Sequence, residues 1–83
     1  MASSRAPTML ELVVRLAELG CDIRSLSGEI VTLDGMASIR HAYNPRNRRF
    51  MVLPMLEDHE IVSPWVVGNI ERRLGVETGF QSL

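Results

Sequence analysis

The stretch MASIRHAYNPRNRRFMVLPM (residues 36–55) decides the fold. Met36 to Tyr43 alternates, with Ala37, Ile39, His41 and Tyr43 on one side and Met36, Ser38, Arg40 and Ala42 on the other. A period of two is the pattern of a β-strand with two different faces. Asn44-Pro45-Arg46-Asn47 carries turn chemistry, and Arg48 to Met55 follows as a second, more apolar strand. Strands joined by so short a connection pair antiparallel.

Reading backward from Met36, Asp34-Gly35 is a hairpin signal, because a type I′ turn needs positive φ at both central residues. Before it, Glu29 to Leu33 is rich in β-branched residues and reads as a strand. Ser27-Gly28 reads as a two-residue turn, and Asp22 to Leu26 as the first strand, with Ile23 opposite Arg24. Four successive strands with short connections predict an antiparallel meander.

A helix flanks the strands on each side. Thr8 and Glu11 have the spacing of a capping box, in which each side chain satisfies the other's free backbone N–H. Met9, Leu12, Val13, Leu16 and Leu19 form one helical stripe, and Gly20 suits the left-handed residue that closes the helix. Ser63 is an N-cap with Pro64 at the first helical position. Val62 and Val67 have staple spacing, Val66, Val67, Ile70 and Leu74 form the buried stripe, and Gly75 stops the helix. Arg72 and Arg73 complement the helix dipole at that end. The expected fold is α+β, in the order α-β-β-β-β-α, with both helices on one face of a meander sheet. It occupies residues 8–76 as a single domain, between an N-terminal tail (1–7) and a C-terminal tail (77–83) from which Phe80 is a candidate to dock.

At 83 residues the chain is one domain's worth, so nearly every apolar residue is needed in the core. No apolar run approaches the roughly 18 residues of a membrane span, and Met1 to Pro7 lacks a secretion signal's apolar region. The single cysteine, Cys21, fits a reducing compartment, so the expected location is cytoplasmic. Just after a helix, Cys21 reads as a small buried hydrophobe, with a reactive thiol as the alternative. Without a phosphate-binding glycine loop, a CxxC or an HExxH, the residues imply no cofactor.

Net charge is −1, which gives no global bias toward nucleic acid, but the distribution is uneven. All nine basic residues are Arg, a residue suited to bidentate contact with phosphate or carboxylate and also one favoured by GC-rich codon usage. Arg40, His41, Arg46, Arg48 and Arg49 fall close together, interleaved with Tyr43, Asn44 and Asn47 and with no acid among them. Such a hairpin can lie along phosphates while Tyr43 stacks on a base. Alternatively it is neutralised within the molecule by the loop carrying Glu57, Asp58 and Glu60, or is a solvated turn that protects a sheet edge.

His41 and His59 are the candidates for proton transfer near neutral pH. His41 shares a strand face with Ile39 and Tyr43, which reads as the core face, so a packed, hydrogen-bonded histidine is the expectation. His59 among Glu57, Asp58 and Glu60 has ligand chemistry but no recognised metal spacing, so no metal is expected. Trp65, in the first turn of the second helix, reads as core or a lid on its edge; exposed, it would mark a partner surface.

Leu19-Gly20 at the end of an opening helix, the run from Arg48-Arg49 to Pro54, and Glu60-Ile61-Val62-Ser63-Pro64 leading to a helix ending Arg73-Leu74-Gly75 together resemble the HicA family of toxins. The resemblance spans most of the chain. It implies a double-stranded-RNA-binding-like fold, mRNA interferase (endoribonuclease) activity and pairing with a HicB antitoxin. The family's Gly-Ser-His motif is absent. With Tyr43 aligned to the family's usual aromatic, Arg40 stands where the catalytic histidine belongs, and His41 is one position later. The segment from Asp22 to Gly35 is longer than usual and adds a strand.

Two functions follow as expectations. The first is an RNA-directed module that binds through Arg40, Tyr43, Arg46, Arg48 and Arg49, with any weak cleavage resting on His41. The second is a protein-interaction module, an inactive relative whose partner is a HicB-like antitoxin or another protein, or a second copy of the chain, with Met36, Met51 and Met55 as an adaptable apolar surface. An ordinary metabolic enzyme has no catalytic pair to recommend it.

Overall fold

A computed structural model describes residues 6–25, 30–32, 35–37 and 39–80. The capping box at Thr8 forms as its spacing predicts: Glu11 N–H donates to Thr8 Oγ1 at 3.2 Å and Thr8 N–H to Glu11 Oε1 at 2.8 Å. It opens α1 (Met9–Glu18), whose Met9, Leu12 and Leu16 are buried. Gly20, at φ +96°, turns the chain out of the helix, and Cys21 N–H donates back to Leu16 O at 3.0 Å. Five strands follow: β1 (Asp22–Ser25), β2 (Ile30–Thr32), β3 (Gly35–Ala37), β4 (Arg40–Asn44) and β5 (Arg49–Val52). The last element is α2 (Pro64–Leu74), capped by the Ser63 side chain and closed by Gly75 at φ +69°.

The four-stranded meander is corrected by the pairing. The strand expected over Met36 to Tyr43 is two strands, with Ile39 outside both. β4 pairs with β1 and β5, making a three-stranded antiparallel sheet in the order β1-β4-β5. Among the described residues, β2 and β3 pair only with each other, as a two-stranded antiparallel unit inserted between β1 and β4. Thr32 pairs with Gly35, so Gly35 is a strand residue and not a turn centre. Asp34 and the Ser27-Gly28 turn lie outside the described residues.

Both helices cover one face of the three-stranded sheet. Ile23, Ala42 and Met51 sit side by side across it. Ala42 is fully buried, with Ile23 and Met51 partly so, against Leu12 and Leu16 of α1 and Val67, Ile70 and Leu74 of α2. Residues before and after the expected domain join this body. Pro7 O accepts from Val62 N–H at 2.8 Å. Thr78 is buried, with its N–H and hydroxyl both donating to Glu71 Oε2, at 2.7 and 2.6 Å, while Phe80 packs against the core. Residues 81–83 and 1–5 lie outside the described residues.

Candidate functional site

The face of the sheet turned away from the helices is open. Register puts Asp22 and Arg24 of β1, His41 and Tyr43 of β4, and Phe50 and Val52 of β5 on it, because Asp22 pairs with Tyr43, Arg24 with His41, Tyr43 with Phe50 and His41 with Val52. Side chains directly opposite on neighbouring strands share a face. His41 and Tyr43 therefore do share a face as expected, but it is the outer face and not the core face; small Ala42 and buried Asn44 point to the core. The parity fails because Ile39 is not in the strand. Phe50 and Val52 remain 53% and 50% exposed, so no other element among the described residues covers them.

The His41 ring lies 5.2 Å from the Phe50 ring, tilted at 56°. His41 Nδ1 is buried and has no hydrogen-bond partner among the described residues. General acid–base work needs a proton path and an orienting partner, and neither reaches this nitrogen. Asp22, Arg24, His41, Tyr43 and Phe50 together line a shallow concavity of about 330 Å³ on this face.

One end of the sheet is strongly basic. Asn44 Oδ1 accepts from Arg46 N–H at 3.1 Å and Asn47 Oδ1 from Arg49 N–H at 3.0 Å, and these side-chain turns shape residues 45–48. Both asparagines then donate to the carbonyl of Leu74, at 2.8 and 2.9 Å, and Arg49 Nη1 donates to Arg72 O at 3.0 Å. These bonds satisfy carbonyls that a helix C-terminus leaves without partners. They also bring Arg49 against the C-terminal end of α2, which carries Arg72 and Arg73. Sequence reading missed this docking of the basic turn onto the helix end, because it joins segments far apart in the chain. The paired signals were the two asparagines and the arginines already placed at the end of α2.

Among the described residues, Arg46, Arg48, Arg49, Arg72 and Arg73 make no ion pair with an acid. Glu71 is near but is engaged by Thr78. Arg48 has φ +61°, a left-handed conformation that costs a non-glycine residue about 1 kcal/mol. Arg40 is different: its guanidinium meets Asp58 at 2.9 Å, on the side of the sheet away from His41. The acidic loop thus neutralises Arg40 and leaves the turn arginines alone. Within that loop His59 reaches Glu57 at 3.5 Å, and the described residues hold no cluster of three metal-ligating side chains.

Apolar side chains are exposed elsewhere. Trp65 is 75% exposed, which overturns its expected place in or on the core. Its neighbour Val66 lines a groove of about 530 Å³ beside edge strand β5, with Phe50, Val52, Pro54, Asn69 and Arg73. Of the methionines expected on a surface, Met51 packs toward the core and Met55 is exposed. Cys21 is buried, and burial raises its thiol pKa above the ordinary value, with Arg46 opposing and Asp22 reinforcing the shift. No described helix is long and apolar enough to cross a membrane. Compared with protein-family models, curated proteins and solved structures, the chain matches none.

Proposed function

We propose that this protein is an RNA-binding module of double-stranded-RNA-binding-like architecture, acting without efficient cleavage. The observation that carries the reading is the basic turn of Arg46, Arg48 and Arg49, which pairs with no acid among the described residues and lies at the end of an open face that holds three rings. Guanidinium groups neutralise phosphates, and this term supplies most of the affinity in nucleic-acid binding. Arg48 supports the same reading: a glycine or asparagine would relieve its positive φ, yet a cation stands there.

With the inserted hairpin set aside, the element order is α–β–β–β–α, with both helices on one sheet face. That agrees with the architecture implied by the HicA resemblance. The catalytic side of the resemblance has less support. Arg40, standing at the family's histidine position, is committed to Asp58, and His41 points to the other face with an unpartnered Nδ1. RNA-binding roles accordingly go to Arg46, Arg48, Arg49 and Tyr43, with Arg40 removed.

The test is fluorescence anisotropy of labelled RNA at low and near-physiological salt. Affinity should fall steeply with salt, and Arg46/Arg48/Arg49→Ala should flatten the slope by about 0.7–0.9 per lost phosphate contact. Arg40→Ala is the control and should change little. Absence of binding at low salt, where charge attraction is strongest, would refute the reading. Exposed Trp65, Ile61 and Met55 favour a second reading, a protein-interaction module such as an antitoxin-binding relative, and that reading would then stand.

A further inference from the structure

The RNA reading rests on charge at one end of the sheet and leaves open whether the nucleic acid is paired. The concavity on the outer face bears on that question. At about 330 Å³ it lies at the small end of ligand sites, the scale of a single ring system rather than a duplex groove. Its walls are the Tyr43 and Phe50 rings on adjacent strands and the His41 ring against Phe50. Asp22 and Arg24 stand along its β1 side. Aromatic faces with polar groups at the margin are what an unstacked base requires: rings to stack on, and acceptors and donors for its edge. In a duplex the bases are stacked on one another and their pairing edges are occupied, so they cannot enter such a site.

The placement also suits a strand running off the site. Asp22 and Tyr43 form the row nearest the 45–48 turn. Arg46 lies close enough to act electrostatically on Cys21, the neighbour of Asp22. A base stacked on the Tyr43 and Phe50 rings therefore sits at the end of the face nearest the turn that carries Arg46 and Arg48. Asp22 further narrows the choice of base. A carboxylate accepts two parallel N–H bonds, and guanine presents two adjacent N–H donors, N1–H and N2–H, on its pairing edge.

Building on the RNA reading, we propose that the concavity formed by Asp22, Arg24, His41, Tyr43 and Phe50 takes one unpaired base of single-stranded RNA, with guanine preferred. Labelled single-stranded octamers with a central guanine or uracil, and the duplex of the guanine octamer, serve as probes. They are titrated with wild-type protein and with Phe50→Leu, Tyr43→Leu, Asp22→Asn and the triple arginine variant. Circular dichroism melts establish that each variant folds.

The guanine single strand is expected to bind more tightly than its duplex. Phe50→Leu and Tyr43→Leu should each weaken single-strand binding about ten-fold, the scale of a lost base–aromatic stack, and leave the duplex and the salt slope unchanged. Asp22→Asn should erase the preference for guanine over uracil. If folded Phe50→Leu and Tyr43→Leu bind the single strand as wild type does, while the arginine variant has lost it, the base site is overturned and the phosphate-binding function survives. Equal binding of guanine and uracil octamers by wild type would overturn the role of Asp22. Failure of every RNA at low salt would overturn both proposals together.

Discussion

Gly75→Ala is the sharpest test of how the arginine end is held together. Gly75 has φ +69°, and an alanine there carries the left-handed penalty of about 1–2 kcal/mol. A methyl group would also collide with the amide nitrogen of Asn47. That amide cannot swing aside freely, because its nitrogen donates to Leu74 O and its oxygen accepts from Arg49 N–H. Displacing it forfeits one or two hydrogen bonds at about 1 kcal/mol each. The expected loss is about 2–4 kcal/mol, a large share of the stability of so small a domain. Gly20→Ala is the matched control: φ is also positive, at +96°, but nothing lies within 4 Å of the added carbon. Its loss should stay near the conformational penalty, so Gly75→Ala should melt roughly 5–15 °C below Gly20→Ala in thermal unfolding by circular dichroism. Adding Asn47→Ala to Gly75→Ala should recover part of the difference, since it removes the colliding group. Equal melting temperatures for Gly75→Ala and Gly20→Ala would refute the reasoning and release the 45–48 turn from the helix end.

Two further outcomes follow from the packing. Thr78→Val keeps the shape of a buried side chain but removes the hydroxyl donor to the Glu71 carboxylate, a charge-assisted bond of about 1.5–3 kcal/mol; urea unfolding should show a loss of that order, and an unchanged midpoint would show that residues 77–80 carry no load. Burial lifts the Cys21 thiol above its ordinary 9.0, so the unfolded state loses its proton first as pH rises. The resulting stabilisation is fully present at neutral pH and disappears as pH climbs through the folded value. Native Cys21 should therefore resist alkylation at pH 8, and Cys21→Ala should lose less stability than wild type between pH 7 and pH 10.

The helices were legible because their signals are local. Thr8 with Glu11, and Ser63 with Pro64, each act within one turn, and the structure uses all four as the sequence suggests. The sheet was legible in kind but not in pairing. Nothing in the alternation from Met36 to Tyr43 marks the break around Ile39, and whether β1 meets β2 or β4 is decided by long-range contacts. The misplaced break reversed the face assigned to His41. Small Ala42 reads as neutral in the sequence, yet it is the β4 residue over which α2 and α1 close. The basic cluster was visible at Arg46, Arg48 and Arg49, but its docking onto the end of α2 depends on Asn44 and Asn47 reaching one carbonyl across the fold. Trp65 follows the helix periodicity of a surface position, and its size argued otherwise.

Asn44 has one more consequence. It is 4% exposed, and both ends of its amide are engaged, giving to Leu74 O and taking from Arg46 N–H. If β4 slid by one residue against its neighbours, every side chain on it would change faces. Asn44 would then leave the interior, bulky Tyr43 would enter where the helices leave room only for small Ala42, and the helix end would lose one of its two amide donors. An alternative alignment of this short sheet thus forfeits a polar bond and incurs a steric conflict at the same moment. A buried amide in a largely apolar interior contributes fidelity: it makes mispaired strands distinguishable from paired ones during folding, in a protein whose strands are only three to five residues long.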